Sequence, residues 1–144
     1  MTVRHLLEQK GWNVWTIGPD ATVLDAVAKM ADKDVGSLVV MDGEKLIGII
    51  TERHYSRNVV LKGKTSPTTL VREIMETNVI YVRPEQSVEL CMALMIDKRV
   101  RHLPEVEDTK VIGIVSIGDL LNYIISKKEF VIDQLEHYIQ GRSC

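Results

Sequence analysis

Gly113-Ile114-Val115-Ser116-Ile117-Gly118-Asp119-Leu120 reads as a strand turning sharply into a helix, and Gly48-Ile49-Ile50-Thr51-Glu52-Arg53-His54 reads the same way 65 positions earlier. Working outward from these corners, Val14–His54 lies on Val79–Asp119 without a gap. Identical pairs include Val14/Val79, Pro19/Pro84, Val23/Val88, Ala28/Ala93, Met30/Met95 and Asp32/Asp97. The series continues with Lys33/Lys98, Val35/Val100, Leu38/Leu103, Lys45/Lys110, Ile47/Ile112 and Gly48/Gly113. Self-similarity of this kind means one supersecondary unit used twice, each copy covering apolar surface the other leaves bare. A lead-in repeats too, Val3-Arg4-His5-Leu6-Leu7 against Val71-Arg72-Glu73-Ile74-Met75, with three extra residues before the first strand.

Each copy predicts the same elements. A short strand opens it (Val14–Ile17; Val79–Val82), and a turn follows at Pro19 or Pro84. Thr22 or Ser87 is the expected helix N-cap. Val23, Ala26, Val27 and Met30 then fall at helical spacing, as do Val88, Cys91, Met92 and Met95. Next comes a hairpin: Leu38–Met41 and Leu46–Ile50 around Asp42-Gly43, then Leu103–Val106 and Lys110–Val115 around Glu107–Thr109. Pro104 cannot donate to a ladder, so its strand is expected at an edge or locally irregular. Helices are expected at Arg53–Leu61 and Gly118–Ser126. The fold class is α/β (α+β): two related half-domains, each a small sheet with two helices, packed into one module. The boundaries are 3–61, a linker at 62–70, 71–126, and a helical tail at 127–144. In that tail Val131, Leu135, Tyr138 and Ile139 share a face that needs a surface, either the protein's own body or a dimer partner.

Composition narrows the function. Lys+Arg 18 against Asp+Glu 20 gives a formal charge of −2, which offers no basic surplus for a nucleic-acid duplex. Cys91 and Cys144 form no metal-ligand or disulfide pattern. No apolar run reaches membrane-span length and the N-terminus opens no signal core, so the expected location is the cytoplasm. Enzyme motifs are missing: there is no His-Glu-x-x-His or Gly-x-Ser-x-Gly, and Gly43 and Gly48 are followed by Ile49 rather than lysine. His5, His54, His102 and His137 have no ligand spacing.

Two segments remain that could carry chemistry. Ser116-x-x-Asp119 is a helix-capping spacing, yet a carboxylate at a strand-to-helix corner can also accept hydrogen bonds from paired sugar hydroxyls. Both accounts stand open. Lys98-Arg99-Val100-Arg101-His102 matches Lys33-Asp34-Val35-Gly36-Ser37 in the first copy. Structure common to the copies cannot require the extra arginines, which points to an anionic ligand.

The doubled pattern ending in Gly-Ile-Ile-Thr51 and Gly-Ile-Val-Ser116-Ile-Gly-Asp119 resembles a tandem pair of CBS domains, a Bateman module of the stand-alone bacterial type. That resemblance implies a cleft for an adenosine compound: AMP foremost, with ADP, ATP, NAD or S-adenosylmethionine as alternatives, and no catalytic cofactor. It implies Asp119 at the ribose, Ser116 near ribose or phosphate, and Arg101, His102 and Arg99 toward phosphate. The purine is expected against Ile80 and Tyr81. The first copy departs from the pattern by placing His54 where the aspartate is expected, so its site (Thr51, His54, Arg53, Arg57, Ser37) is expected to be weak or repurposed. The implied protein is a nucleotide-sensing regulatory module without enzyme activity, acting through a homodimer or through an unknown regulated protein; the alternative is a scaffold whose clefts have lost their ligand.

Overall fold

The computed structural model describes residues 2–139. The N-cap expectations hold: Thr22 Oγ1 accepts the Asp25 N–H at the start of α2 (Val23–Lys33), and Ser87 Oγ accepts the Leu90 N–H at the start of α5 (Val88–Lys98), both at 3.1 Å. Each helix buries most of the apolar stripe read from its spacing: Val23, Ala26 and Met30 with Val27 partly buried in one, Val88, Cys91 and Met95 in the other, where Met92 is exposed instead. Both helices end on a residue in the left-handed region, Asp34 and Arg99, each at φ 54°, where the chain turns into a hairpin.

The hairpins are β2 (Ser37–Asp42) with β3 (Lys45–Thr51), and β4 (His102–Glu107) with β5 (Lys110–Ser116), both antiparallel. Each is slightly longer than its sequence signal. In the first copy β1 (Thr16–Ile17) adds a parallel strand beside β2, giving the order β1-β2-β3. In the second copy the expected strand over Val79–Val82 shrinks to one bridge, Val82 with Glu105. Pro104 is the reason. Its counterpart Val39 donates its N–H to the Trp15 carbonyl at 3.1 Å, and a proline has no N–H to give to the matching Ile80 carbonyl. The bulge in β4 is not due to Pro104. The register shifts at Val40/Met41 in the first copy as it does at Glu105/Val106 in the second.

The lead-ins are exchanged. α1 (Val3–Lys10) leaves the first copy and packs on the second: Val3 and Arg4 donate their N–H groups to the Gln86 and Pro84 carbonyls at 2.9 Å. α4 (Val71–Ile74) does the converse, with Val71 and Arg72 donating to the Ala21 and Pro19 carbonyls. Two apolar cores result. Val3, Leu6 and Leu7 join Val82, Val88, Cys91, Met95, Leu103, Val115, Leu120 and Tyr123, while Val71 and Ile74 join the core built on Val23, Met30, Leu38, Val40 and Ile50. Gly48 and Gly113 follow from this exchange. A Cβ at Gly113 would run into Leu7, and one at Gly48 would sit 2.8 Å from the Met75 sulfur; Leu7 and Met75 are matching residues of the two lead-ins. The glycine repeated in the two β-strands makes room for a side chain arriving from the other half.

The three extra residues of the first lead-in also gain a purpose. In the first half Glu76 pairs backbone to backbone with Ile49. In the second, α1 runs on to Lys10, whose ammonium donates to the matching Ile114 carbonyl at 2.5 Å.

After β3 the expected helix is regular only over α3 (Glu52–Tyr55), and then widens over Ser56–Val60. There the Leu61 and Lys64 N–H groups reach back five residues, to Ser56 and Val59. After β5, α6 runs unbroken from Ile117 to Ile139, so the second helix and the tail are one element rather than two. Of the expected tail face, Leu135 is 56% exposed; the Val131, Tyr138 and Ile139 side chains lie outside the described residues. No helix among the described residues is long and apolar enough to cross a membrane.

Candidate functional site

At the second corner the Ser116 N–H donates to Asp119 Oδ2 at 2.8 Å, and the Asp119 N–H donates to Ser116 Oγ at 3.1 Å. This is the reciprocal cap that the spacing allowed. Oδ2 also meets the Lys10 ammonium at 2.6 Å. An ionised carboxylate has about four acceptor positions, and Oδ1 is engaged by no donor among the described residues. Capping therefore leaves acceptor capacity free. The crevice beside it is open, about 310 Å³, and is lined by Lys10, Asn13, Trp15, the Asp34–Ser37 link, His102 and Ile114. Lys33 lies over the Trp15 ring, 4.5 Å from its centre, which steadies an aromatic surface at the crevice wall.

The first corner repeats this cap with different chemistry. The Thr51 N–H donates to His54 Nδ1 at 3.1 Å, and the His54 N–H donates to Thr51 Oγ1 at 3.2 Å. A ring nitrogen that accepts an N–H carries no proton, so His54 is the Nε2–H tautomer. Burial lowers its pKa below the usual histidine value; Glu76 opposes that shift and Arg53 adds to it. The imidazole is neutral and its remaining polar atom is a donor. This corner opens on a second crevice of about 410 Å³, whose walls include Arg53, Arg57, Lys98, Arg99 and Arg101.

Gly36 and His102 line both crevices, and a Cβ added at Gly36 would lie 3.3 Å from His102 Nε2. Burial pushes the His102 pKa down to about 4, against the opposing pull of Asp119. The ring is thus uncharged at neutral pH and can offer one N–H but no charge to an anion.

Two paired crevices at the corners of a doubled unit are what the comparisons with known proteins bear on. Residues 3–60 and 71–126 each match the model of the CBS domain. The chain belongs to the CBS-domain family. It is 39% identical over 151 residues to the mitochondrial CBS domain-containing protein CBSX3 of Arabidopsis thaliana, covering 97% of this chain and 72% of that protein. Among solved structures it is similar to the CBS-domain protein NE2398, at 50% identity and a TM-score of 0.84, covering 87% of this chain and 98% of that one. A candidate signal-transduction protein with CBS domains from Burkholderia ambifaria MC40-6 aligns at 44% identity and a TM-score of 0.85, covering 88% and 95%.

Within this CBS pair the expected site residues divide differently from their order in the sequence. Ser116, Asp119 and His102 share the smaller crevice, joined by Ser37, which the sequence had grouped with the first copy. Arg99 and Arg101 line the larger crevice with Thr51, Arg53, His54 and Arg57. The corner of each copy opens toward the helix-to-strand link of the other, so the second copy's arginines face the first copy's corner. Ile80 packs against the second core instead of lining either crevice. Tyr81 is half exposed in a separate groove with Arg83, Pro84 and Glu85. Trp15, the counterpart of Ile80, occupies the crevice wall where the purine was expected to meet Ile80 and Tyr81. Sequence reasoning missed Trp15 and Lys10, because their roles depend on how the halves pack. No cluster of three or more His, Cys, Asp or Glu among the described residues is placed to hold a metal ion.

Proposed function

We propose that this CBS pair is a regulatory module whose Asp119 crevice takes an adenosine nucleotide, AMP foremost, with ADP, ATP, NAD and S-adenosylmethionine as members of the same class. The observation that carries this reading is the open crevice beside a carboxylate with an unengaged oxygen, walled by Trp15. Asp119 Oδ1 accepts from the ribose hydroxyls, Ser116 holds the corner, and the Trp15 ring offers an apolar face to the purine. Lys10 balances the carboxylate's charge and lies close enough to meet a phosphate. A volume near 310 Å³ sits at the lower end of the range of small-molecule sites.

Such a ligand regulates only through its differential affinity for two states of the module. A ligand seated here touches α1, the Asp34–Ser37 link and the start of α6 at once, so it couples the halves. The signalling form in this reading is a homodimer. Ile96, Ile117, Leu121 and Ile125, between 43% and 76% exposed, form an apolar stripe on α5 and α6 that supports it. A scaffold without ligand is the competing reading.

A thermal-shift panel of AMP, ATP, NAD and S-adenosylmethionine tests the proposal. A ligand at about 100 times its Kd adds roughly 2.7 kcal/mol, which raises Tm by several degrees in a chain of this size. At least one adenosine compound is expected to do so. A flat panel would favour the scaffold.

A further inference from the structure

The larger crevice holds five cationic side chains, Arg53, Arg57, Lys98, Arg99 and Arg101, against two carboxylates, Glu52 and Glu76. Lys98 pairs with Asp97 at 3.5 Å, but none of the four arginines has a carboxylate partner among the described residues. Four guanidinium groups without carboxylate partners gathered around one cavity concentrate positive charge there, which an anion would neutralise. Arg53 is positioned rather than paired, its guanidinium donating to the Arg99 carbonyl at 3.2 Å. Glu76 is partly committed, since its Oε1 accepts the Asn78 N–H at 2.9 Å.

The corner lacks the acceptor pair that grips the two hydroxyls of a ribose. His54 Nδ1 is occupied by the Thr51 N–H, so the ring presents only a donor where Asp119 presents an acceptor. A carboxylate can accept both protons of a vicinal diol and this ring cannot, whereas a phosphate oxygen takes donors, and this corner supplies a neutral N–H beside guanidinium groups. Guanidinium forks suit phosphate oxygens in pairs, and four arginines exceed what one orthophosphate requires.

We propose that the Thr51–His54 crevice is a site for a compact chain of linked phosphates, held without a nucleoside in the ribose position and independent of the nucleotide reading of the Asp119 crevice. The chain is either a free polyphosphate or the tail of a nucleotide whose sugar lies outside.

Titration calorimetry at low ionic strength with tripolyphosphate, pyrophosphate, orthophosphate and adenosine is the test. Tripolyphosphate is expected to bind once per chain and to be the tightest of the four. Arg57→Ala and Arg101→Ala, both at exposed positions, should each weaken it by roughly 10- to 100-fold with unchanged melting curves. Asp119→Ala should leave it unaffected, which separates this site from the nucleotide crevice. His54→Asp should weaken tripolyphosphate and create adenosine binding at this corner. Displacement of tripolyphosphate by ATP would identify a nucleotide tail as the source, and failure to displace it a free polyphosphate. Tripolyphosphate binding no tighter than orthophosphate, or binding indifferent to both arginine substitutions, would overturn the proposal.

Discussion

Leu7→Ala is expected to lower the unfolding free energy by about 2–5 kcal/mol, although Leu7 belongs to a lead-in that precedes the first repeat. The side chain is fully buried in the core of the second half, over Gly113. Truncation leaves a cavity between α1 and a sheet whose first strand begins only at His102, and the rigid strands below can close it only partly. Leu24→Ala is the control, because Leu24 is 49% exposed and should cost well under half as much. Urea unfolding of both variants decides it. Equal losses, or a Leu7 loss below ~0.5 kcal/mol, would contradict the exchange of lead-ins.

The second large effect concerns Glu105, whose side chain is fully buried in that same half. Neither carboxyl oxygen has a hydrogen-bond partner among the described residues. Burial raises its pKa to about 7, against the pull of Arg4, while Glu107 and Glu85 push the same way as burial. A carboxyl with a raised folded pKa favours folding while protonated. Its contribution is full below the unfolded value near 4.5 and is lost as pH rises toward 7. A displacement of that size corresponds to a few kcal/mol. His102, held down near 4, acts in the opposite sense and gains stability as pH rises from 4 to about 6.5. The wild-type profile therefore mixes two slopes, and Glu105→Gln isolates one of them. Glutamine cannot ionise, so the variant should match the wild type near pH 4.5 and exceed it by on the order of 2–3 kcal/mol at pH 8. Urea midpoints measured across that range give the difference directly. A difference that does not change with pH would show that Glu105 is solvated or paired.

Much of this was legible in the sequence. The offset of 65 between repeats, the Thr22 and Ser87 caps, the stripes on α2 and α5 and the two strand-to-helix corners all rest on local spacing. Local spacing is what fixes capping and amphipathic burial. The long-range features were not legible in that way. Nothing local to Val3–Lys10 says that it packs on the other copy, although the bare glycines at 48 and 113 are a trace of it. The loss of the Val79–Val82 strand follows from one missing N–H at Pro104. That effect appears only when Pro104 is set beside Val39 and its bond to Trp15. Glu105 stands where the first copy buries Val40, a mismatch visible in the repeat alignment and informative only once the position is known to be buried. At the site, the repeat identified Asp119 and the arginines as unusual, but it could not say that the packing of the halves sends them into different crevices.

That division makes the carboxylate at the second corner the point on which the nucleotide reading stands. Titration calorimetry of AMP into the wild type and Asp119→Ala tests it most directly. Removing hydrogen bonds to a charged acceptor costs about 1.5–3 kcal/mol, so the variant should bind AMP roughly 10- to 150-fold more weakly, while His54→Ala changes little. AMP affinity that survives the loss of Asp119, or that falls equally with His54→Ala, would contradict it.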